Sequence, residues 1–179
     1  MAAAARVVAL LRGVNVGTAQ RISSQQLRSV VEACGVTDVT TLLNSGNAVG
    51  TTALAPAALA TAVADAVEAE CGFRCDVIVR SRAQLQRAYE RDPLCDVAAD
   101  PSRHLLVCLG AKPSRAAMEA LAARDVTPDQ WTVEGMDLHA WMPDGVSSSR
   151  LQKALASGAL DVPWTGRNWT TVARILNAM

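Results

Sequence analysis

The stretch Val36–Thr51, with the sequence VTDVTTLLNSGNAVGT, decides the fold of this 179-residue chain. Two segments rich in β-branched and apolar residues flank the tetrapeptide Asn44–Asn47 (NSGN). Glycine and asparagine tolerate the positive φ that tight turns require, so the stretch predicts a β-hairpin. Helical patterns lie on both sides of the hairpin. It therefore occupies the centre of a longer β-α-β-β-α-β order.

The segment before the hairpin has the pattern of a strand followed by a helix. Arg6–Leu11 is a short apolar run, which indicates a buried strand. Ser23–Gln26 has the S-x-x-Q form of a capping box, in which serine and glutamine satisfy each other's backbone N–H groups. The apolar residues that follow recur on one helical face: Leu27, Val30, Val31 and Cys34. Gly35 then supplies the left-handed residue that ends a helix.

The segment after the hairpin predicts a second helix and a last strand. Pro56 suits a first helical position, and Gly72 ends the helix. In Phe73–Val79 apolar residues mostly alternate with polar ones, as in a strand with one polar face. Residues 6–79 therefore predict the split β-α-β of a ferredoxin-like unit.

The second half of the chain partly repeats this order. Ser81 opens another helix by a capping box, His104–Leu109 reads as a strand, and Trp131–Met142 reads as a hairpin interrupted at Gly135. The pattern ends with two helices. We therefore predict an α+β protein with two packed ferredoxin-like halves, residues 1–92 and 93–179, of which the second ends in helices.

Composition restricts the class of partner. Seventeen basic and seventeen acidic residues cancel, whereas general nucleic-acid binders carry a basic excess that neutralises phosphates. RNA-recognition folds of similar topology stack bases on strand aromatics. The first strand here offers Val7–Leu10 instead, which makes RNA binding the least favoured alternative.

The cysteines indicate a reducing compartment. Their number is odd, at five, and the opening residues resemble neither a secretory signal nor a membrane span. Cys71 and Cys75 do not form a C-x-x-C pair, and both histidines lie far from them in sequence. We therefore expect a cytoplasmic location, buried or free thiols, no membrane association, no metal site and no cofactor.

The usual catalytic motifs are absent. The sequence contains no P-loop, no G-x-G-x-x-G, no G-x-S-x-G and no H-E-x-x-H. The two histidines, His104 and His139, lie in strand patterns, and we interpret both as structural or solvated. No general base is identifiable, so the residues indicate binding and assign no reaction.

Polar residues that suit ligand binding occur in three clusters. The first follows the first strand, where Gly13 and Gly17 allow backbone N–H groups to turn toward a ligand and Arg12 suits an oxyanion. Asn15 lies between the two glycines. A plain connection, with glycines that only permit its turns, explains the same residues.

The second cluster is the hairpin turn, with Ser45, Gly46 and Asn47. The third comprises Ser147–Lys153 and Thr165–Trp169, whose polar and basic members are Lys153, Arg167 and Asn168. We interpret both stretches of the third cluster as the first turns of helices, whose free N–H groups favour anions. Tight turns and ordinary helix caps are the alternative explanation for the second and third clusters.

The three clusters resemble a known family. The stretches ALLRGVNVG (residues 9–17), NSGNAV (44–49) and TGRNWTT (165–171) look like the signature stretches of the bacterial family called domain of unknown function 1697, in the same order. The resemblance runs from near residue 6 to near residue 177. It implies a small cytoplasmic α+β protein of ferredoxin-like arrangement, and it supplies no reaction, substrate or catalytic residue. Two places depart from the family pattern: Thr18–Gln20 replace a Gly followed by Lys or Asn, and Asn44 replaces Gln.

Two functions of different class follow. The first is a site for a small anionic ligand, such as a nucleotide or another phosphorylated metabolite, between the first loop, the hairpin turn and the start of the last helix. The second is a non-catalytic interaction or oligomeric module, in which the clusters only build turns and caps and Trp131 or Trp141 anchors a partner. If Arg12 and Arg167 lay on opposite faces, the shared site would be excluded.

Overall fold

The computed structural model describes residues 3–179, and the chain divides into two compact units. The first comprises the residues up to Arg87 together with Ala173–Met179, and the second comprises Ala88–Val172. Each unit contains one four-stranded antiparallel sheet and its helices. The predicted α+β class with two ferredoxin-like halves is therefore confirmed.

The first unit follows the order that the hairpin predicts. Its elements are β1 (Ala5–Leu11), α1 (Ser24–Ala33), β2 (Thr37–Leu42), β3 (Asn47–Thr52), α2 (Pro56–Cys71) and β4 (Val77–Ser81). In space the strands lie in the order β2-β3-β1-β4. The central position of β1 places its carboxyl end beside the turn between β2 and β3.

The helix ends of the first unit have the predicted caps. Ser23 and Gln26 form a complete capping box at the start of α1. Pro56 occupies the first turn of α2, and Gly72 ends this helix with a left-handed φ of 73°. At 16 residues α2 is the longest helix, and within residues 3–179 no helix has both the length and the apolarity to cross a membrane.

One face of the first sheet forms a core with α1 and α2. The contributing strand residues alternate along β1, because successive side chains point to opposite faces. The core includes Val7, Ala9 and Leu11 from β1, Leu27 and Val31 from α1, and Leu59, Val63 and Val67 from α2. The opposite face of β1, with Val8 and Leu10, is also buried.

The second unit repeats the strand order of the first. Its elements and the helices at its two ends are α3 (Arg82–Glu90), β5 (His104–Leu109), α4 (Arg115–Ala122), β6 (Gln130–Glu134), β7 (Asp137–Trp141), α5 (Arg150–Ala156), β8 (Trp164–Asn168) and α6 (Trp169–Ala178). The strands lie in the order β6-β7-β5-β8. Helices α3 and α6 each extend across a boundary between the two residue ranges.

The strand β8 differs from the sequence interpretation, which assigned Thr165–Asn168 to the start of a helix. In the structure β8 pairs antiparallel with β5 and places Arg167 opposite Leu106. It completes the second sheet, and α6 begins at the next residue, Trp169. The local sequence lacks the alternating apolar pattern of a strand, so only the pairing with β5 decides its structure.

Both faces of the second sheet are buried along β5. Leu105, Val107 and Leu109 belong to the core of this unit. The alternate residues of β5, which include His104 and Leu106, are buried as well. Because Leu106 lies opposite His139 of β7 and Arg167 of β8, these polar residues share the second face.

Candidate functional site

The first two polar clusters lie side by side in the first unit. The amide of Leu11, at the end of β1, donates to Gly46 O at 2.9 Å. Asn15 Nδ2, in the loop that follows, donates to Asn44 O at 2.8 Å. The loop after β1 and the turn between β2 and β3 therefore form one continuous surface, as a shared site requires.

Asn15 holds the loop in its conformation. Its φ is 59°, a region that asparagine tolerates better than most residues. Besides the bond to Asn44, its Nδ2 donates to Ile22 O at 2.8 Å, and its Oδ1 accepts from Ile22 N at 3.0 Å. These three bonds engage both ends of the side-chain amide, so Asn15 positions the loop.

The turn residues are similarly engaged in local structure. Asn47 is fully buried, and its Nδ2 donates to Leu42 O and to Ser45 Oγ, both at 2.9 Å. Gly46 has a φ of 73°, and a Cβ at this position would lie 2.6 Å from Val14 Cγ2. Only glycine allows the turn and the loop to approach this closely.

Arg12 lies beside a groove of about 370 Å³ that Gly13 and Gln20 also line. Its Nη1 is 3.2 Å from Asp76 Oδ2, and its side chain is about one-third exposed. An anion in this groove has to compete with the carboxylate of Asp76. Gly17 lies farther along the loop at a φ of 66°, and no atom lies within 4 Å of the position that a Cβ would occupy there.

A larger groove, of about 630 Å³, lies at the start of α1, and we call it the α1 groove. Its lining residues come from the loop, the turn and the first turn of the helix: Asn15, Arg21, Ile22, Ser23, Ser24, Gln26 and Asn44. None of them is acidic. Arg21 is exposed and makes no hydrogen bond or ion pair within residues 3–179.

The third predicted cluster belongs to the second unit. Arg167 is buried and donates through Nη1 to Thr165 Oγ1 and Gly166 O, both at 2.8 Å. Burial lowers the pKa of its guanidinium to about 10, which still leaves it charged at neutral pH. Asn168 Oδ1 accepts from Thr171 N at 2.9 Å and so caps α6, as the alternative explanation expects.

Lys153 is exposed on α5 and lines a separate groove of about 460 Å³ with Arg124 and Arg150. Arg150 Nη1 pairs with Asp125 Oδ2 at 2.7 Å. Thr127 and Arg150 hold the pKa of Asp125 below its usual value, with the hydrogen bonds from Thr127 as the largest cause. Lys153 therefore lies in basic surroundings in which one cation is already paired.

A further cluster of ionisable residues occurs where the sequence predicted none. Asp92, His104 and His139 lie on three separate segments of the second unit, and each places one nitrogen or oxygen within 4.8 Å of the others. Burial lowers the pKa of both histidines, and the carboxylate of Asp92 partly opposes this shift. Both rings are buried, so of the two predicted alternatives, structural or solvated, the solvated one is excluded. Their convergence depends on the register of β5 and β7, which no local pattern displays.

The architecture defines the class of protein as α+β, with two ferredoxin-like units in one chain. Among solved structures, the conserved bacterial protein SP0830 from Streptococcus pneumoniae has a similar fold. The two structures superimpose with a TM-score of 0.78, and the match covers 98% of this chain and 99% of the pneumococcal chain. The two sequences are 19% identical, so this similarity is one of fold. Among curated proteins, none matches the chain.

The sequence matches the family described as "Protein of unknown function (DUF1697)" over residues 4–139. The chain belongs to this family. The matched range includes the loop after β1 and the turn between β2 and β3, whereas the third stretch, residues 165–171, lies beyond it. Family membership confirms the resemblance and leaves the function to be inferred from the site.

Proposed function

We propose that the protein binds a small anionic ligand, such as a nucleotide or another phosphorylated metabolite, in the α1 groove. One observation carries the proposal: the loop and the turn meet beside Arg21, a cation with no carboxylate partner within residues 3–179. Guanidinium groups bind phosphate and carboxylate oxygens in a bidentate manner. The groove therefore offers a positive charge that no neighbouring acid neutralises.

The first turn of α1 adds to this preference. The capping box uses the amide of Gln26, whereas the amides of Ser24 and Gln25 are at the open end of the helix. The aligned peptide dipoles place about half a positive charge at this end. No acidic residue occupies the first turn of α1, so the helix end and Arg21 both favour the binding of an anion.

The groove beside Arg12 is the weaker candidate because Asp76 lines it as well. A bound phosphate would lie near that carboxylate and would have to displace it from Arg12. The α1 groove has no carboxylate, and the side-chain amide nitrogens of Gln26 and Asn44 can donate to phosphate oxygens there. It contains no group that serves as a general base, so the proposal is one of binding.

Thermal unfolding in the presence of ATP, glucose 6-phosphate and coenzyme A tests the proposal, with adenosine as the uncharged control. A ligand at 100 times its dissociation constant stabilises the folded state by about 2.7 kcal/mol, which raises Tm by several degrees. We expect a shift with one of the anionic compounds and none with adenosine. The shift should decrease as salt concentration rises, since exposed charges are screened.

Two arginine variants on the same segment separate this groove from general surface charge. Arg21→Ala should abolish the shift. Arg28→Ala removes the same charge from the exposed face of α1, where Arg28 Nε lies 2.8 Å from Glu32 Oε1. This variant should retain the Tm shift. An equal loss in both variants contradicts the assignment to the α1 groove. If no compound shifts Tm, the interaction module becomes the favoured function.

We further propose that the protein functions in the bacterial cytoplasm. All five cysteines are free thiols in the structure, and Cys95 is exposed. Exposed thiols persist in reducing compartments. Fractionation of the native host, followed by detection of this chain, checks the location; recovery from the extracellular medium would contradict it.

A further inference from the structure

We propose that Asp92, His104 and His139 bind a divalent first-row transition-metal ion such as Zn²⁺. Asp92 follows the end of α3, His104 begins β5, and His139 lies in the middle of β7. This inference goes beyond the anion site, because it concerns other residues, in the second unit, and a different class of ligand.

The strand register places the two imidazoles together. In the antiparallel pair of β5 and β7, His139 lies opposite Leu106, and His104 is two residues before Leu106. Residues two apart in a strand point to the same face, and diagonal neighbours on that face come within reach of long side chains. Both rings therefore project from the same face of the second sheet, and the segment after α3 brings Asp92 to them.

The separations match those in a metal coordination shell. His104 Nε2 lies 3.3 Å from Asp92 Oδ1, and His139 Nδ1 lies 3.7 Å from the same oxygen. Two ligand atoms that are each about 2.1 Å from a tetrahedral Zn²⁺ are about 3.4 Å apart. The two nitrogens lie within 4.8 Å of each other, so one ion can contact all three atoms once the imidazole rings move toward it.

The two imidazole nitrogens lack hydrogen-bond partners. His104 Nε2 and His139 Nδ1 are buried and form no hydrogen bond of acceptable geometry within residues 3–179, despite their proximity to Asp92. A buried polar atom without a hydrogen-bond partner destabilises the folded state. The carboxylate of Asp92 could accept from both nitrogens, but neither nitrogen has hydrogen-bonding geometry toward it here. A metal ion satisfies both and uses the carboxylate too.

The surroundings hold these ligands in place. Asp92 Oδ1 accepts from Leu94 N at 3.0 Å, which fixes the carboxylate. The indole of Trp169 stacks on His104 with a centroid distance of 4.0 Å and an interplanar angle of 8°, and Tyr89 stacks on Trp169 in turn. Such outer contacts orient metal ligands and restrict the access of water.

The donor set decides the class of ion. Two imidazoles and one carboxylate suit Zn²⁺, Co²⁺ or Fe²⁺, whereas Ca²⁺ and Mg²⁺ prefer shells of oxygen. Closed structural zinc sites have four protein ligands. Three protein ligands leave a coordination position for water or another small molecule.

Cobalt provides the test, because its visible spectrum reports the coordinating atoms. The untagged, chelator-treated protein is titrated with Co²⁺, and metal content is measured after dialysis. We expect one Co²⁺ per chain with a visible band of low-coordinate nitrogen and oxygen ligation, displaced by Zn²⁺. The chain contains two histidines, so proton NMR of the Co²⁺ form should show paramagnetic shifts of both imidazoles.

Two aspartate variants form a matched pair. Asp92→Asn removes the charge and retains an acceptor for Leu94 N, and we expect Co²⁺ affinity to fall at least about 100-fold, more than outer contacts typically contribute. Asp129→Asn changes another buried carboxylate, which accepts from Leu151 N at 2.9 Å, and should leave affinity unchanged. Circular dichroism of the metal-free proteins checks that both variants fold.

Trp169→Phe removes the fluorophore next to the site and leaves the three metal ligands unchanged. Paramagnetic Co²⁺ at this site should quench the fluorescence of the adjacent Trp169, and the Phe variant should still take up one ion while this quenching disappears. Four outcomes overturn the proposal: no uptake, unshifted histidine signals, equal loss in both aspartate variants, or a sulfur-to-cobalt charge-transfer band. The last of these would place the metal on cysteine. The NMR result needs no variant, so the proposal is decided even if Asp92→Asn does not fold.

Discussion

Replacing Gly46 with alanine tests the contact between the hairpin turn and the loop after β1. Gly46 has a φ of 73°, and an added Cβ would lie 2.6 Å from Val14 Cγ2 and 2.9 Å from Leu11 Cβ. Both neighbours are buried in the first core, so neither has room to move. The substitution therefore introduces backbone strain and a steric clash together.

The expected cost is the sum of two terms. A left-handed conformation costs a residue with a Cβ about 1–2 kcal/mol. Forcing an extra methyl group into a packed core costs about 1–3 kcal/mol. We expect Gly46→Ala to lower the free energy of unfolding by about 2–5 kcal/mol, a large part of the stability of a small domain.

Gly17→Ala is the matched control. Gly17 has nearly the same φ, 66°, but no atom lies within 4 Å of its added Cβ. This variant should show only the backbone term. The difference between the two variants therefore measures the steric term alone, at about 1–3 kcal/mol.

Urea unfolding monitored by far-ultraviolet circular dichroism provides the measurement, because it reports the helices of both units, including α1 and α2 of the first. All four tryptophans lie in the second unit, so their fluorescence reports that unit separately. The circular dichroism transition should move to lower urea in Gly46→Ala. If Gly46→Ala costs no more than Gly17→Ala, the inferred close packing of turn and loop is refuted.

Two further predictions concern the N-terminal cap of α5 and the thiols. Ser149 Oγ donates to the buried Asp129 Oδ2 and accepts from Gln152 N, both at 2.8 Å, so Ser149→Ala should cost about 1–3 kcal/mol in chemical unfolding. Ser114→Ala, at the exposed cap of α4, should cost about 1 kcal/mol, and an equal cost would contradict the role of Asp129. Burial raises the pKa of Cys75 to about 11, so at pH 8 this thiol should react slowly with Ellman's reagent. Exposed Cys95 should react first, its replacement by serine should remove the fast phase, and Cys75 should speed up only as the pH approaches 11.

Local patterns predict most of the first unit. The capping box at Ser23, the proline at the start of α2 and the glycine at its end each act within a few residues, so the sequence displays them directly. The hairpin is likewise determined by its own turn. These local signals predict the order of helices and strands, and that order indicates the ferredoxin-like class.

What the sequence leaves unpredicted depends on pairing between distant segments. β8 has no strand pattern and takes its structure from β5. Asp92, His104 and His139 meet only because β5 and β7 pair in one particular register. The α1 groove shows the same limit: the polar loop and turn are visible in the sequence, but the position of Arg21 beside them depends on the hydrogen bonds of Asn15.

The division of residues between the two units has a consequence for synthesis on the ribosome. Ala173–Met179 follow the second unit along the chain, yet they belong to the first. Arg6 Nη2 and Arg82 Nη1 donate to the carbonyls of Ala178 and Leu176, at 3.0 and 3.2 Å. A nascent chain that has released residues up to Arg87 therefore still lacks these acceptors. The first unit to emerge is completed only after translation has passed through the second.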